Sequence, residues 1–333
     1  MKPVIGMYAH HQGAGHLQRC RAIASALDAE VTILSSLTDA DVVLPLDVDD
    51  SSPAQDAEAG GTLHWVPLHV AGLRSRMAMI AGWIEKHQPD VFFVDVSVEV
   101  ALLVRLMGVP VVTITMPGNR DDFPHQLQYR QAAALIAVQP PGLETPPHLK
   151  EFAHKLHAVG GISRFENQQP SEPVVFEGTE RTAVVMQGQG GTEWTSEYWE
   201  EVQRACSDWN FIFLGGDYRV ENPLPYLQGA NVVISAAGQN SVADIALANV
   251  NAVFLPQSRP FDEQHATSKL LEELGIAQVF VDLPAPDCWP KILENATATE
   301  PRWEQWQMNG ATQRAAAVLE EVAGSVAPAQ ENS

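Results

Sequence analysis

Twice in 333 residues, a short apolar run ends in a glycine-containing turn and passes straight into a helix with one apolar face. The first run is Val4–Tyr8 and its turn is His10–Gly15; Leu17, Cys20, Ile23, Ala24 and Leu27 then recur at helical spacing. The second run is Thr182–Met186, followed by the turn Gln187–Gly191 and a helix over Thr195–Cys206. A strand that leads into a helix returns to its sheet as a parallel neighbour, and parallel sheets need helices on both faces. The order of elements therefore predicts an α/β chain with two Rossmann-like domains.

Other strands are expected at Val31–Leu34, Val91–Val94, Val109–Thr115 and Ala134–Val138, with helices at Arg74–Lys86 and Glu99–Leu106. Asp39–Gly61 is rich in Asp, Ser and Gly and reads as loop. Breakers then cluster at Pro140-Pro141-Gly142, Pro146-Pro147, Gly160-Gly161 and Gln168–Pro173. They divide the chain into a first domain at 1–160, a linker at 161–178 and a second domain at 179–302. In the second domain, strands are expected at Phe211–Leu214, Val232–Ser235 and Val253–Leu255, and helices at Ser241–Leu247 and Asp262–Leu274. Trp303–Val322 reads as one long amphipathic helix, and residues 303–324 are expected to cross back to the first domain. The tail from Ala327 is expected to fray.

Composition removes several function classes. A formal net charge of −21 disfavours non-specific binding of a polyanion, so no nucleic-acid partner is expected. The three cysteines, Cys20, Cys206 and Cys288, lie far apart and suit a reducing compartment rather than a disulfide framework or zinc site. The first apolar run is too short for a signal peptide, and none approaches the roughly 20 residues of a membrane span. A cytoplasmic location follows as an expectation, with docking at the inner membrane face left open.

Three turns have the character of ligand sites. His10-His11-Gln12-Gly13-Ala14-Gly15-His16 lies between strand and helix, where α/β sheets bind ligands; Gly13 and Gly15 let backbone approach a ligand, and His16 stands at the helix start. Met186-Gln187-Gly188-Gln189-Gly190-Gly191-Thr192 offers backbone N–H groups to a diphosphate and lacks the Gly-Lys-Ser/Thr ending of an ATP-hydrolysing P-loop. Ser235-Ala236-Ala237-Gly238-Gln239-Asn240-Ser241-Val242-Ala243-Asp244 passes through small residues into a helix, with Asp244 one turn in, where its carboxylate can accept from two ribose hydroxyls. Phe261-Asp262-Glu263-Gln264-His265, at another strand-to-helix junction, can converge on the same ligand. Each turn, read alone, is also compatible with an ordinary polar helix cap.

Other polar clusters read as structural. Asp47-Val48-Asp49-Asp50 and Asp121-Asp122 sit in acidic loops and are expected to be solvated. His64, His69, His125, His148, His154 and His157 show no metal-ligand spacing, so no metal site is expected. Asp95, just past a strand, either touches an acceptor or caps the helix beginning near Glu99. Trp194, Trp199, Trp209 and Trp303 read as packing residues. Met77, Met79 and Ile80 suit either core packing or contact with a lipid carrier.

Together these stretches resemble the GT-B glycosyltransferases, in pattern most of all glycosyltransferase family 28. Gly13-Ala14-Gly15-His16 is similar to that family's glycine-rich loop ending in a histidine, with His11 and Gln12 where two more glycines would stand. The resemblance makes His16 the catalytic base or a positioner of acceptor and diphosphate. Gly160-Gly161-Ile162-Ser163-Arg164 resembles the junction segment that brings an arginine to the nucleotide, which assigns Arg164 to the donor. Gly188, Gln189, Gly190 and Gly191 fall on the family's phosphate turn, with Gln189 in place of its serine. Gly238, Gln239, Asn240 and Ser241 fall on the helix entry, Asp244 on the ribose-binding carboxylate, and Gln264-His265 on the pair that addresses the donor sugar.

The resemblance implies a GT-B fold, two Rossmann-like domains across a cleft, and transfer of sugar from a UDP-linked donor to a hydroxyl acceptor. The acceptor is unnamed, with a lipid-linked one among the candidates. No cofactor is implied, because the nucleotide-sugar is itself a substrate. Gly15-His16-Leu17-Gln18-Arg19-Cys20 also looks like the start of GT-B nucleotide-sugar hydrolases, in which the histidine activates water. Transfer, hydrolysis or epimerisation, and silent nucleotide-sugar binding therefore all stay open.

Overall fold

The computed structural model describes residues 2–48, 53–168, 172–176, 181–187 and 194–325. The chain first forms β1 (Val4–Ala9), α1 (Gly15–Ala24), β2 (Glu30–Ser35), β3 (Val42–Val43), α2 (Ala71–His87), β4 (Val91–Asp95), α3 (Val98–Leu106), β5 (Val111–Thr115), α4 (Phe123–Gln131), β6 (Ala134–Ala137) and β7 (Leu156–Ala158). These strands make one parallel sheet in the order β3-β2-β1-β4-β5-β6-β7. β4 and β5 are buried along their whole length, as central parallel strands must be. Phe92, Val94, Ile80, Trp83 and Val104 fill one side of the sheet. Gly6 is obligatory there, because a Cβ would stand 2.4 Å from the Phe92 ring.

The second series is β8 (Thr182–Met186), α5 (Ser196–Ala205), β9 (Asn210–Leu214), α6 (Leu224–Gly229), β10 (Val232–Ser235), α7 (Gln239–Ala248), β11 (Asn251–Phe254), α8 (Glu263–Glu273), β12 (Gln278–Val279) and α9 (Trp289–Thr297). Its sheet is also parallel, in the order β12-β11-β10-β8-β9. Successive residues alternate between its two faces. Val184, Val233 and Phe254 pack with Leu271 and Trp303 on one side, while Val185, Ile234 and Val253 pack with Trp199 and Trp289 on the other. Trp194, Trp199, Trp209 and Trp303 are all buried, in keeping with a packing role.

The chain divides into two compact units. Unit one is Met1–Thr115, Arg120–Gly160 and Gly310–Ser333; unit two is Met116–Asn119 and Gly161–Asn309. Residues 161–168, expected within a linker, belong to unit two, where a Cβ on Gly161 would meet Met308 and Trp306 within 2.6 Å. The expected helix Trp303–Val322 is two pieces. A 3-10 turn, Trp303–Trp306, ends at Gln307 in the left-handed region, and Gly310, at φ 75°, precedes α10 (Ala311–Ser325). Left-handed residues cannot continue an α-helix, so the apolar periodicity spans a break. α10 packs on α1, β4 and β6. The sequence reading left β3, α4, β7, α6, β12 and α9 within expected loops; the two-residue strands β3 and β12 present too few alternations to show a period. The tail from Ala327 lies outside the described residues, and no described helix is long and apolar enough to cross a membrane.

Candidate functional site

In unit one, β1 neighbours both β2 and β4, so chain order reverses between β1 and β4 and opens a crevice beyond their carboxyl ends. Ala9 and Asp95 are register partners at that point. Past Ala9 the chain turns through Gly13, at φ 87°, and enters α1 with no side-chain cap at Ala14. His16 and Arg19, one turn apart on α1, both reach Asp95. His16 Nδ1 lies 3.0 Å from Asp95 Oδ1, and Arg19 grips the same carboxylate with Nε and an amino nitrogen at 2.8 Å each. An ionised carboxylate only accepts, so toward Asp95, its nearer partner, His16 donates from Nδ1; the Arg19 amino nitrogen 3.2 Å away then makes no hydrogen bond to that atom, and in the neutral ring Nε2 is the acceptor. Burial pushes the Asp95 carboxyl up, but the charges of Arg19 and His16 and their hydrogen bonds outweigh it and hold Asp95 below the ordinary carboxylate range.

This corrects the capping reading of Asp95. Ser97 is the cap of α3, accepting from Val100 N, whereas Asp95 is fully buried against His16 and Arg19. Val96 between them has φ 58°, a strained conformation for a β-branched residue, and such strain collects at functional turns.

Beside the His16 turn lies a cavity of about 450 Å³, counting its open mouth. Trp65, Leu73, Met77 and Val100 form apolar wall; Tyr8, His10, Ser97 and Glu99 add polar groups. The His10 ring is 6.0 Å from that of His16, edge-on. Burial, then the charges of His11, His16 and Arg76, lower the His10 pKa to about 3, so it is neutral at physiological pH. Its Nδ1 accepts from Gln12 N, which leaves Nε2–H to donate.

Under the cavity, Arg76 is fully buried and pairs with Asp47, Tyr8 Oη at 3.1 Å, Pro45 O at 3.0 Å and Ser36 Oγ. Asp47 is thus a buried ion-pair partner, not a solvated loop acid; Asp49 and Asp50 lie outside the described residues. Burial drives Tyr8 up to about 12 despite Arg76 beside it, so its hydroxyl stays protonated. On α2, Ile80 and Trp83 are core, Met77 lines the cavity and Met79 is exposed.

Asp122 caps α4 and also draws two expected bystanders together. His64 Nε2 lies 3.2 Å, and His125 Nδ1 2.9 Å, from Asp122 Oδ1, a trio with a metal's ligand types. Arg120 stands 3.2 Å from the other nitrogen of His125 and can only donate to it. That fixes the proton of His125 on Nδ1, facing Asp122, so the lone pair a metal would take is occupied. The trio therefore reads as a hydrogen-bonded network.

In unit two, chain order reverses between β8 and β10, where Met186 and Ser235 are partners. By the same rule this edge is the candidate ligand site of unit two. Gly188, Gln189, Gly190 and Gly191, which follow β8, lie outside the described residues. After β10, Ala237 takes φ 60° and Gly238 precedes α7, whose first N–H groups have no side-chain cap at that position. Gln239 and Ser241 are half-buried and Asn240 exposed on the first turn. Gln264 approaches from α8: its Nε2 is 4.0 Å from where a Cβ on Gly238 would be, while its Oε1 accepts from Gln257 N. Phe261 and Asp262, both at φ 61°, form the strained turn before α8. His265 Nδ1 lies 2.9 Å from Asp262 Oδ1 at an angle that makes no hydrogen bond.

Asp244 is buried and accepts from Ser163 Oγ at 2.7 Å. Arg164 next door stacks on Phe165 and lies close enough to lower the Asp244 pKa. Burial nevertheless dominates and raises Asp244 from 3.8 to about 6. A folded-state pKa above the unfolded one contributes stability below about pH 4, which is lost as pH rises through about 6. The displacement is worth about 3 kcal/mol at neutral pH. Asp244→Asn is therefore expected to raise the urea midpoint at pH 7.5 and leave it nearly unchanged at pH 4. Equal effects at both pH values would remove the buried carboxylate as the cause.

Sequence reading missed Arg76, Tyr8 and Glu99 as site residues, and named Arg19, His10 and Ser163 only as members of their motifs, without a role of their own. The Gly-His-x-x-Arg spacing is the one visible signal, since it puts Arg19 a turn from His16 on one helix face.

Solved structures share this architecture. A glycotransferase of kitacinnamycin aligns over 96% of this chain and 99% of its own, with TM-score 0.69 and 16% identity. MurG of Acinetobacter baumannii aligns over 96% and 100%, with TM-score 0.60 and 16% identity. Medicago truncatula UGT71G1, solved with UDP-glucose, aligns over 97% and 99%, with TM-score 0.64 and 11% identity. No protein-family model and no curated protein matches the chain. The fold is that of the GT-B glycosyltransferases: two α/β units, each on a parallel sheet.

Proposed function

We propose that the chain is a glycosyltransferase that moves a sugar from a UDP-linked donor to a hydroxyl acceptor by metal-independent displacement. The observation that carries this reading is the His16–Asp95 pair: an imidazole held through Nδ1 by a buried carboxylate at the reversal point of a parallel sheet. His16 Nε2 takes the proton of the acceptor hydroxyl. The acceptor oxygen attacks the anomeric carbon, and the bond to the diphosphate breaks, its electron pair leaving with UDP. Neutral His10 and the apolar wall of Trp65, Leu73 and Met77 give unit one a place for the acceptor. Gly13 and Gly15 keep the turn before His16 open to the diphosphate.

The donor falls to unit two. The uncapped start of α7, at Gly238, Gln239, Asn240 and Ser241, stabilises the leaving diphosphate. Gly188–Gly191 add backbone donors, Arg164 adds charge, and Asp244 accepts from the ribose hydroxyls. Gln264 and His265 address the transferred sugar. A UDP-linked donor is supported by the structural counterpart solved with UDP-glucose. Water in place of the acceptor hydroxyl would make the same machinery a hydrolase, the reading favoured by Gly15–Cys20.

Calorimetric titration with UDP tests the donor assignment. Asp244→Ala is expected to weaken binding by about 1.5–3 kcal/mol, the range for hydrogen bonds to a charged acceptor. Equal affinities for variant and wild type would exclude Asp244 from the nucleotide site.

A further inference from the structure

Arg19 has no assigned part in the reaction, yet it is buried with Asp95 in a planar fork-to-carboxylate grip, both bonds at 2.8 Å. The same amino nitrogen lies 3.2 Å from His16 Nδ1. An aspartate whose charge is unmatched stabilises the imidazolium beside it. Here a full cation already matches that charge. Protonating His16 would therefore bring a second positive charge into a trio holding one carboxylate.

Other charges around the ring do not change this balance. His10 and His11 on the preceding turn both have lowered pKa values, chiefly through burial. Arg76 is matched by Asp47. From α10, packed on α1 and β4, Arg314 donates to Val159 O and Glu320 accepts from Asp28 N; Glu321, also on that helix, is exposed.

We propose that Arg19 is a positioning residue that neutralises Asp95, so that Asp95 orients the His16 ring without strongly stabilising its protonated form. The ring is thereby held by a carboxylate whose charge a cation already matches. The catalytic relevance rests on the proposed transferase reading, whereas the electrostatic claim does not.

The test is an NMR titration of His16 in the full-length protein with ¹³C-labelled histidine, the signal assigned by its loss in His16→Gln. In Arg19→Met, the midpoint of the His16 titration is expected to rise by about one pH unit or more, as for an imidazole gaining an uncompensated carboxylate. In Asp95→Asn, which keeps the shape and removes the negative charge, it is expected to fall. Arg19→Gln, which keeps a donor to Asp95 and removes the positive charge, is expected to raise the midpoint likewise and decides the matter if Arg19→Met does not fold. An unmoved midpoint in a folded variant would overturn the proposal and leave Arg19 as a packing residue. The acidic limb of turnover should move with the midpoint. A moved midpoint in a protein that turns over no nucleotide-sugar would uphold the role of Arg19 and defeat the transferase reading.

Discussion

His16→Ala is expected to slow turnover by about 10²–10⁴-fold, the usual worth of general-base catalysis, while UDP affinity changes little. The two outcomes separate because His16 belongs to unit one and the proposed nucleotide contacts Gly238–Asp244 to unit two. Its ring is held by Asp95 through one nitrogen, so truncation removes the other nitrogen, the one proposed to take the proton. A parallel loss of UDP affinity would make His16 a diphosphate contact. Wild-type turnover would reduce it to a residue of the α1 entry.

Arg76→Met is expected to cost unit one about 3–5 kcal/mol, because it leaves Asp47 as an unpaired buried carboxylate. The arginine also bonds Tyr8 of β1, Pro45 O and Ser36, so it ties α2 to the central strand and to the acidic segment. Urea unfolding followed by tryptophan fluorescence measures the loss. The double variant Arg76→Met/Asp47→Asn should recover part of it, since the coupling of the pair is then gone. A loss below about 1 kcal/mol would place the pair among solvated ion pairs, which are worth that little.

The architecture was legible where apolar periodicity was strong. β1, β8 and β10 are apolar runs followed by turns of glycine or small residues, so these three strand-to-helix turns were legible in the sequence, whereas the reversal of chain order beside β1 and β8 was not. Periodicity misled at Trp303–Val322, where apolar residues keep helical spacing across a break that depends on Gln307 and Gly310. Charge misled at Asp47: an acid in an acidic stretch looks solvated until its partner, Arg76, 29 residues later, is seen to fold onto it. Asp95 shows the same limit. A carboxylate at a strand end is equally a cap or a ligand contact in sequence, and only the convergence of α1 on β4 shows that it holds His16. Gln264 and Gly238 were expected to share a ligand and do lie together, because β10 and β11 are adjacent in the sheet. Local patterns carry elements and turns, whereas pairings of buried charges are long-range and leave no local trace.

The central claim, sugar transfer by His16-assisted displacement, is tested most directly by UDP release from a panel of UDP-sugars in EDTA, with and without hydroxyl acceptors. UDP should appear with at least one donor only when an acceptor is present, in step with the glycosylated product, and be lost in His16→Ala. Equal release in water alone would show a hydrolase. Release abolished by EDTA and restored by Mg²⁺ or Mn²⁺ would contradict metal-independent displacement, and no release from any donor that binds would contradict the enzyme itself.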